Sequence, residues 1–267
     1  MFAADLVRGC IADEFGRDGF CVLRGAISQS DWQLLRERCL DNLCSYEATP
    51  ELSDKSGGIQ SMHLPLLGWG DRWLDAAAEA PTVEQAAALL TGRHVFCDPL
   101  TVEAVSYRSS VPWHRDATVD TLGVKFVAYL DGLTGENALL MAAGSHRSLV
   151  PSESEILALH TISVVEVDAG DVIAFDLRSW HANFGVGPRT QWTITFLAAP
   201  DTAAERAAAE HWLREGESYD AAPTGIDRSW VNPNWFASAS SDSVRERWVA
   251  QMADLGRVAA SATRVRP

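Results

Sequence analysis

The sequence lacks any apolar run long enough to cross a bilayer. Its opening stretch, Met1 to Gly16, carries acids where a secretory leader would carry positive charge, so a cytoplasmic location away from membranes is expected. Basic residues are scarce: Lys and Arg total 22 against 36 acids, and a formal charge of −14 repels nucleic acid and anionic lipid. Cysteine is sparse, odd in number and scattered (Cys10, Cys21, Cys39, Cys44, Cys97), which predicts reduced thiols inside apolar stretches instead of disulfides or a zinc cluster. Internal repeats and low-complexity segments are lacking too. What remains by elimination is a small-molecule partner, with oligomeric state left open.

What the chain does have is apolar content, 47% of 267 residues, enough for one large domain over 1–267. Helical spacing of Phe2, Leu6, Cys10, Ile11 and Phe15 predicts a first helix, Phe20 to Arg24 a short strand, and Ser28 with Asp31 the cap of a helix burying Trp32, Leu35, Cys39 and Leu43. Ser53 to Gly58 reads as a polar loop, and Leu64 to Gly70 as an ordered loop that could wall a pocket. Pro81 opens a helix with Val83, Ala86, Ala87 and Leu90 on one face. From about 94 to 199 the texture becomes β-branched and aromatic: His94–Tyr107, Leu122–Leu130, Thr161–Val167, Val172–Phe175 and Gln191–Leu197 read as strands. Asp201 is expected to cap a helix over Thr202 to Arg214, and Asp242 to Val258 forms a last one. The class expected is mainly β with flanking helices from 1–93 and 200–267, a double-stranded β-helix or cupin-like jelly roll.

Inside that β region lies a split pattern: Trp113-His114-Arg115-Asp116, then Trp180-His181, then Arg189 after the turn Gly185 to Pro188. In an extended segment His114 and Asp116 project to one face while Arg115 points away, and His181 follows a strand that could deliver it to the pair. Two imidazoles and a carboxylate are the facial donor set for non-haem Fe(II). A guanidinium at the start of the next strand suits the distal carboxylate of 2-oxoglutarate. A His-x-Asp alone is weak in a chain with seven histidines; the second Trp-His and Arg189 add the specificity.

Together with Asp18-Gly19-Phe20, Ala128 to Asp131, Glu136 to Leu139, Gly144-Ser145-His146-Arg147 and Gly170-Asp171-Val172, this pattern resembles the phytanoyl-CoA dioxygenase (PhyH-like) family of Fe(II)/2-oxoglutarate oxygenases over most of 13–199. The resemblance implies His114, Asp116 and His181 as iron ligands and Arg189 as the anchor for 2-oxoglutarate, with Gln191 and Asn183 as further co-substrate contacts. It also implies oxidation of a small molecule, by hydroxylation or oxidative ring closure, coupled to conversion of 2-oxoglutarate and O2 to succinate and CO2. Related halogenases have a small residue where Asp116 stands, so halogenation is disfavoured. Departures are Ala143 where relatives carry proline, a compressed Glu136 to Leu139 block, and a short His181 to Arg189 segment.

Other residues carry plainer expectations. His63, His94, His160 and His211 read as surface or hydrogen-bonded histidines, and His146 as a loop stabiliser. Lys125 reads first as a lysine snorkelling at a sheet edge and second as a contact to a co-substrate or a substrate carboxylate. Trp69, Trp73, Trp230 and Trp235 sit in or beside loops that could ring a barrel mouth, where flat aromatic walls suit a glycosylated substrate, as in the orthosomycin oxygenases of bacterial antibiotic biosynthesis. Two other readings stay open: a non-redox cupin-like metal or sugar-binding protein, and an oxygenase acting on a protein or carrier-bound amino acid.

Overall fold

The computed structural model describes residues 2, 9–47, 61–68, 71–148, 152–185, 187–215, 235–236 and 243–256. Helix α1 (Gly9–Asp18) leads through Gly19 into β1 (Phe20–Leu23). Helix α2 (Gln29–Glu47) opens where Ser28 Oγ accepts from the Asp31 amide at 3.2 Å, and its 3–4 spacing buries Trp32, Leu35, Cys39 and Leu43. Two short helices follow. Asp71 caps α3 (Arg72–Ala78) by accepting from the Trp73 and Leu74 amides, and α4 (Pro81–Thr91) starts on proline and ends at left-handed Gly92. Helix α5 (Glu153–Leu159) lies between strands, while α6 (Ala203–Glu215) and α7 (Val244–Asp254) follow the β region.

The strands form two antiparallel sheets. One has six strands in the order β1, β8 (Val172–Asp176), β5 (Gly123–Tyr129), β10 (Arg189–Ala198), β3 (Val95–Tyr107) and β2 (Ser61–Pro65). The other has four, β4 (Val111–His114), β9 (His181–Asn183), β6 (Leu139–Ala142) and β7 (Ile162–Val165). This is the double-stranded β-helix, or jelly roll. Period-two alternation assigns the faces of β10: Trp192, Ile194 and Phe196 enter the large core shared with the helices, while Arg189 and Gln191 line a cleft between the sheets. Burying each of those aromatic and aliphatic side chains contributes roughly 1.5–3 kcal/mol, so the outer face anchors the sheet and frees the inner face for polar groups.

Several expectations change. Phe2 belongs to no helix; it bridges Ile27 and meets Phe126 edge-on at 5.3 Å. Leu64 and Pro65 close an edge strand, and Leu66 and Leu67 are buried in the main core, so the described part of this segment, 64–68, does not wall the cleft. Thr202, not Asp201, caps α6: its hydroxyl accepts from the Glu205 amide at 3.2 Å while the Glu205 carboxylate accepts from the Asp201 and Thr202 amides. Trp235 is buried, with Nε1 donating to Glu79 at 2.9 Å, and Trp73 packs against the same core, so neither rings a barrel mouth. Trp69, Trp230 and the loop Ser53 to Gly58 lie outside the described residues. All five cysteines are free, but Cys10 and Cys44 are exposed. No helix among the described residues is long and apolar enough to cross a membrane.

Candidate active site

His114 is the last residue of β4 and His181 the first of β9, and the antiparallel register sets them directly opposite. Asp116 stands two residues past the end of β4. The chain between them turns Arg115 away, with its guanidinium 5.9 Å from the Trp180 ring centroid. One donor atom from each of His114, Asp116 and His181 lies within 4.8 Å of the others. Each imidazole Nε2 faces the same carboxylate oxygen, Asp116 Oδ1, at 3.5 Å for His114 and 3.6 Å for His181.

The backbone selects the tautomer that such a site needs. His114 Nδ1 donates to the Pro112 carbonyl at 2.8 Å and His181 Nδ1 to the Ser179 carbonyl at 3.0 Å. Both Nε2 lone pairs are thereby left facing Asp116, the arrangement by which outer contacts orient metal-binding histidines. Phe175 supports His181 from below, ring centroids 4.7 Å apart.

The turn bearing His181 is held by the segments that carried the family resemblance. Ser179 Oγ donates to the Gly19 carbonyl at 3.0 Å, the Trp180 amide donates to Ser145 Oγ at 2.9 Å, and the Gly144 amide donates to the Asp18 carbonyl at 2.8 Å. His146 is buried against Gly19 and is absent from the cleft wall, in keeping with a loop stabiliser. Asp171 performs a similar task for β1, accepting from Arg24 Nη1 at 2.6 Å and the Gly25 amide at 2.8 Å.

Electrostatics make two of the three donors, Asp116 and His181, ready for a cation. Burial works to raise the Asp116 carboxyl, but Lys125, with Nζ 3.2 Å from Oδ2, and the two imidazoles outweigh it and hold the group far below the usual carboxylate range. Burial pushes His181 down to about 4, keeping it neutral. Burial opposes protonation of His114 as well, but its contact with Asp116 prevails and raises it. Two neutral-capable imidazoles with one carboxylate, and no thiolate among the donors, form a set that fits Fe(II).

The same cleft, about 480 Å³ including its open mouth, is also lined by Tyr107, Tyr129, Asn183, Arg189 and Gln191. Arg189 is buried; Nη1 donates to the Gly185 carbonyl at 2.8 Å and Nη2 to the Ser109 carbonyl at 2.7 Å, and no carboxylate among the described residues pairs with it. Burial accordingly lowers its pKa, with only Tyr129 and Tyr107 opposing. Gln191 Oε1 is buried in the cleft wall without a hydrogen-bond partner. Asn183 is committed to the backbone: Nδ2 donates to the Asn137 carbonyl at 2.7 Å and Oδ1 accepts from the Gly185 amide at 2.9 Å. It therefore holds the turn whose carbonyl grips Arg189.

The aromatic groups of this wall have no role assigned by the sequence. Tyr107 and Phe175 carry no signal except their places on strands whose register only the fold reveals, and Tyr129 shows only as part of the Ala128 to Asp131 block. Lys125 is a correction: β5 lies inside the six-stranded sheet, so this side chain is mostly covered and paired with Asp116, with no edge to snorkel from. His63 donates from Nδ1 to Glu103 at 3.1 Å and His160 to the Ala143 carbonyl at 3.0 Å, as hydrogen-bonded histidines should.

No family model and no curated protein sequence matches the chain. Solved structures do. The epimerase SnoN from nogalamycin biosynthesis, in complex with Fe3+, α-ketoglutarate and nogalamycin RO, is 16% identical with a TM-score of 0.57, covering 71% of this chain and 83% of that one. EctD from S. alaskensis with 2-oxoglutarate and 5-hydroxyectoine is 21% identical, TM-score 0.59, covering 74% and 79%. AviO1 from Streptomyces viridochromogenes Tue57 is 20% identical, TM-score 0.54, covering 75% and 98%. At these identities the likeness carries the fold: the chain has the double-stranded β-helix of structures crystallised with iron and 2-oxoglutarate.

Proposed function

We propose that the protein is a non-haem Fe(II)/2-oxoglutarate-dependent oxygenase that hydroxylates or oxidatively cyclises a small molecule. The observation that carries this reading is one cleft holding both a His-Asp-His donor set and, on its wall, a buried guanidinium with no acidic partner among the described residues. A buried cation is costly unless an anion meets it. A sugar-binding or inert cupin-like fold has no use for Arg189 there, whereas the distal carboxylate of 2-oxoglutarate would complete its hydrogen bonding.

His114, Asp116 and His181 would hold the metal. Arg189 would hold the co-substrate, with Gln191 beside it on the same strand face and Asn183 steadying the Gly185 turn. Iron and 2-oxoglutarate, when bound, supply the oxidising chemistry, with O2 consumed and succinate and CO2 released. Val111, Val127, Leu139 and Phe175 keep water from the cleft, and Tyr129, pushed by burial up to about 12, stays a hydroxyl donor. Asp116 fills the position that a halide would need, which argues against halogenation. The neighbours include an epimerase and a carbocyclase of nogalamycin biosynthesis, in keeping with a natural product as substrate.

Anaerobic calorimetry with Mn(II) as a redox-silent stand-in tests the reading. The expected result is 2-oxoglutarate binding that depends on prior loading with Mn(II). Equal binding of 2-oxoglutarate with and without metal would contradict it.

A further inference from the structure

We infer that Lys125 is the positioning residue of the metal centre, holding one oxygen of Asp116 so that the other alone is presented to the metal. The inference rests on the metal-site reading above. Asp116 follows the end of β4, so no strand pairing fixes it, and its side chain needs an anchor from elsewhere. Lys125 supplies one across the cleft: Nζ contacts Oδ2 at 3.2 Å, while Oδ1 faces the two imidazoles at 3.5 and 3.6 Å. The two carboxylate oxygens are thus divided between an ammonium and the donor cluster.

The register of the large sheet extends the point. Lys125 on β5 pairs with Phe175 on β8, and the Phe175 ring meets His181 at a tilt, centroids 4.7 Å apart. One cross-strand pair therefore braces two of the three donors, while the Pro112 and Ser179 carbonyls orient the imidazoles. The inner face of the large sheet acts as a jig for ligands carried by the small one. Fixing a ligating carboxylate through its free oxygen is worth roughly 10–100-fold in metal affinity.

A purely electrostatic role predicts the opposite sign. An ammonium near a dication repels it, so deleting the charge would tighten metal binding. Co(II), which favours the same N and O donors and has visible bands sensitive to coordination, serves as the probe. Lys125→Met is expected to weaken Co(II) binding roughly 10–100-fold and to alter its visible spectrum. Lys125→Gln keeps a polar group in the wall for folding but falls one bond short of Asp116, so the same loss is expected. Lys125→Arg, which can reach, should bind within about fivefold of wild type. Circular dichroism and melting of the metal-free proteins identify which variants are folded. Wild-type or tighter Co(II) affinity in either folded Met or Gln variant overturns the inference while leaving the metal site intact. Absence of Co(II) binding by the wild-type protein overturns the metal-site reading itself.

Discussion

Gly19→Ala concentrates the account in one methyl group. Gly19 ends α1 at φ +82, and a Cβ built there would lie 2.4 Å from His146 Nδ1 and 2.6 Å from Ser179 Oγ. Left-handed backbone costs an L-residue roughly 1–2 kcal/mol, and forcing a group into packed surroundings roughly 1–3 more. The sum, roughly 2–5 kcal/mol, is a large share of a typical stability of roughly 5–15 kcal/mol. For a chain of this size it corresponds to a fall in Tm of roughly 4–20 °C.

Gly92→Ala is the matched control, because Gly92 has φ +67 at the end of α4 but nothing within 4 Å of its Cβ position. It should lose only the backbone share, roughly 1–2 kcal/mol. The two variants separate further in function. The clash displaces Ser179, whose carbonyl accepts from His181 Nδ1, so Gly19→Ala should also weaken Co(II) binding about tenfold while Gly92→Ala leaves it alone. Calorimetric melting and Co(II) titration of both proteins decide the matter. If they melt within about 2 °C of each other and bind Co(II) equally, the bracing of His181 through Gly19 is wrong.

Other expectations follow from the same geometry. Arg189→Met should raise the 2-oxoglutarate Kd by roughly 10²–10⁴, the loss of two charge-assisted hydrogen bonds at about 1.5–3 kcal/mol each, with metal affinity unchanged by calorimetry. The Glu205 carboxyl is held near 2, first by its hydrogen bond from Arg93 and next by the Asp201 amide. A depressed carboxyl stabilises the fold above its unfolded value of about 4.3, and this is lost as pH falls from there toward 2. The pair is partly exposed and water-screened, so Glu205→Gln should remove no more than about 1 kcal/mol of acid-dependent stability, read from melts at pH 6 and pH 3 (about these values).

The parts of the molecule legible in the sequence are those where a local rule and the tertiary environment agree. Helices α2 and α4 bury the stripes their spacing predicts, because capping and amphipathicity are local. The long strands β3, β5 and β10 carry enough residues for texture to show. Strands β4, β6 and β9 have three or four residues each, too few for any period, and are strands only because a partner's backbone completes them. His114, Asp116 and His181 could be nominated by donor chemistry, yet nothing local foretold that register would set the two histidines opposite each other.

Lys125 and Trp235 escape a local reading for one reason: polarity and proximity to a loop suggest exposure, whereas burial depends on which element lies alongside. Asn183 illustrates a subtler limit. Its place two residues past His181 suggests a co-substrate contact and it does line the cleft, but nothing local foretells that its amide also binds the Asn137 and Ala138 carbonyls and the Gly185 amide. Hydrogen-bond partners forty residues away leave no trace in local pattern.

The most direct test of the central claim is anaerobic addition of Fe(II) and 2-oxoglutarate to the wild-type protein and to His181→Ala, followed by visible absorption. A weak charge-transfer band from the chelated keto acid is expected with wild type and absent in the variant. Absence of the band in wild type, or its persistence in His181→Ala, would contradict the assignment of this cleft as an iron and 2-oxoglutarate site.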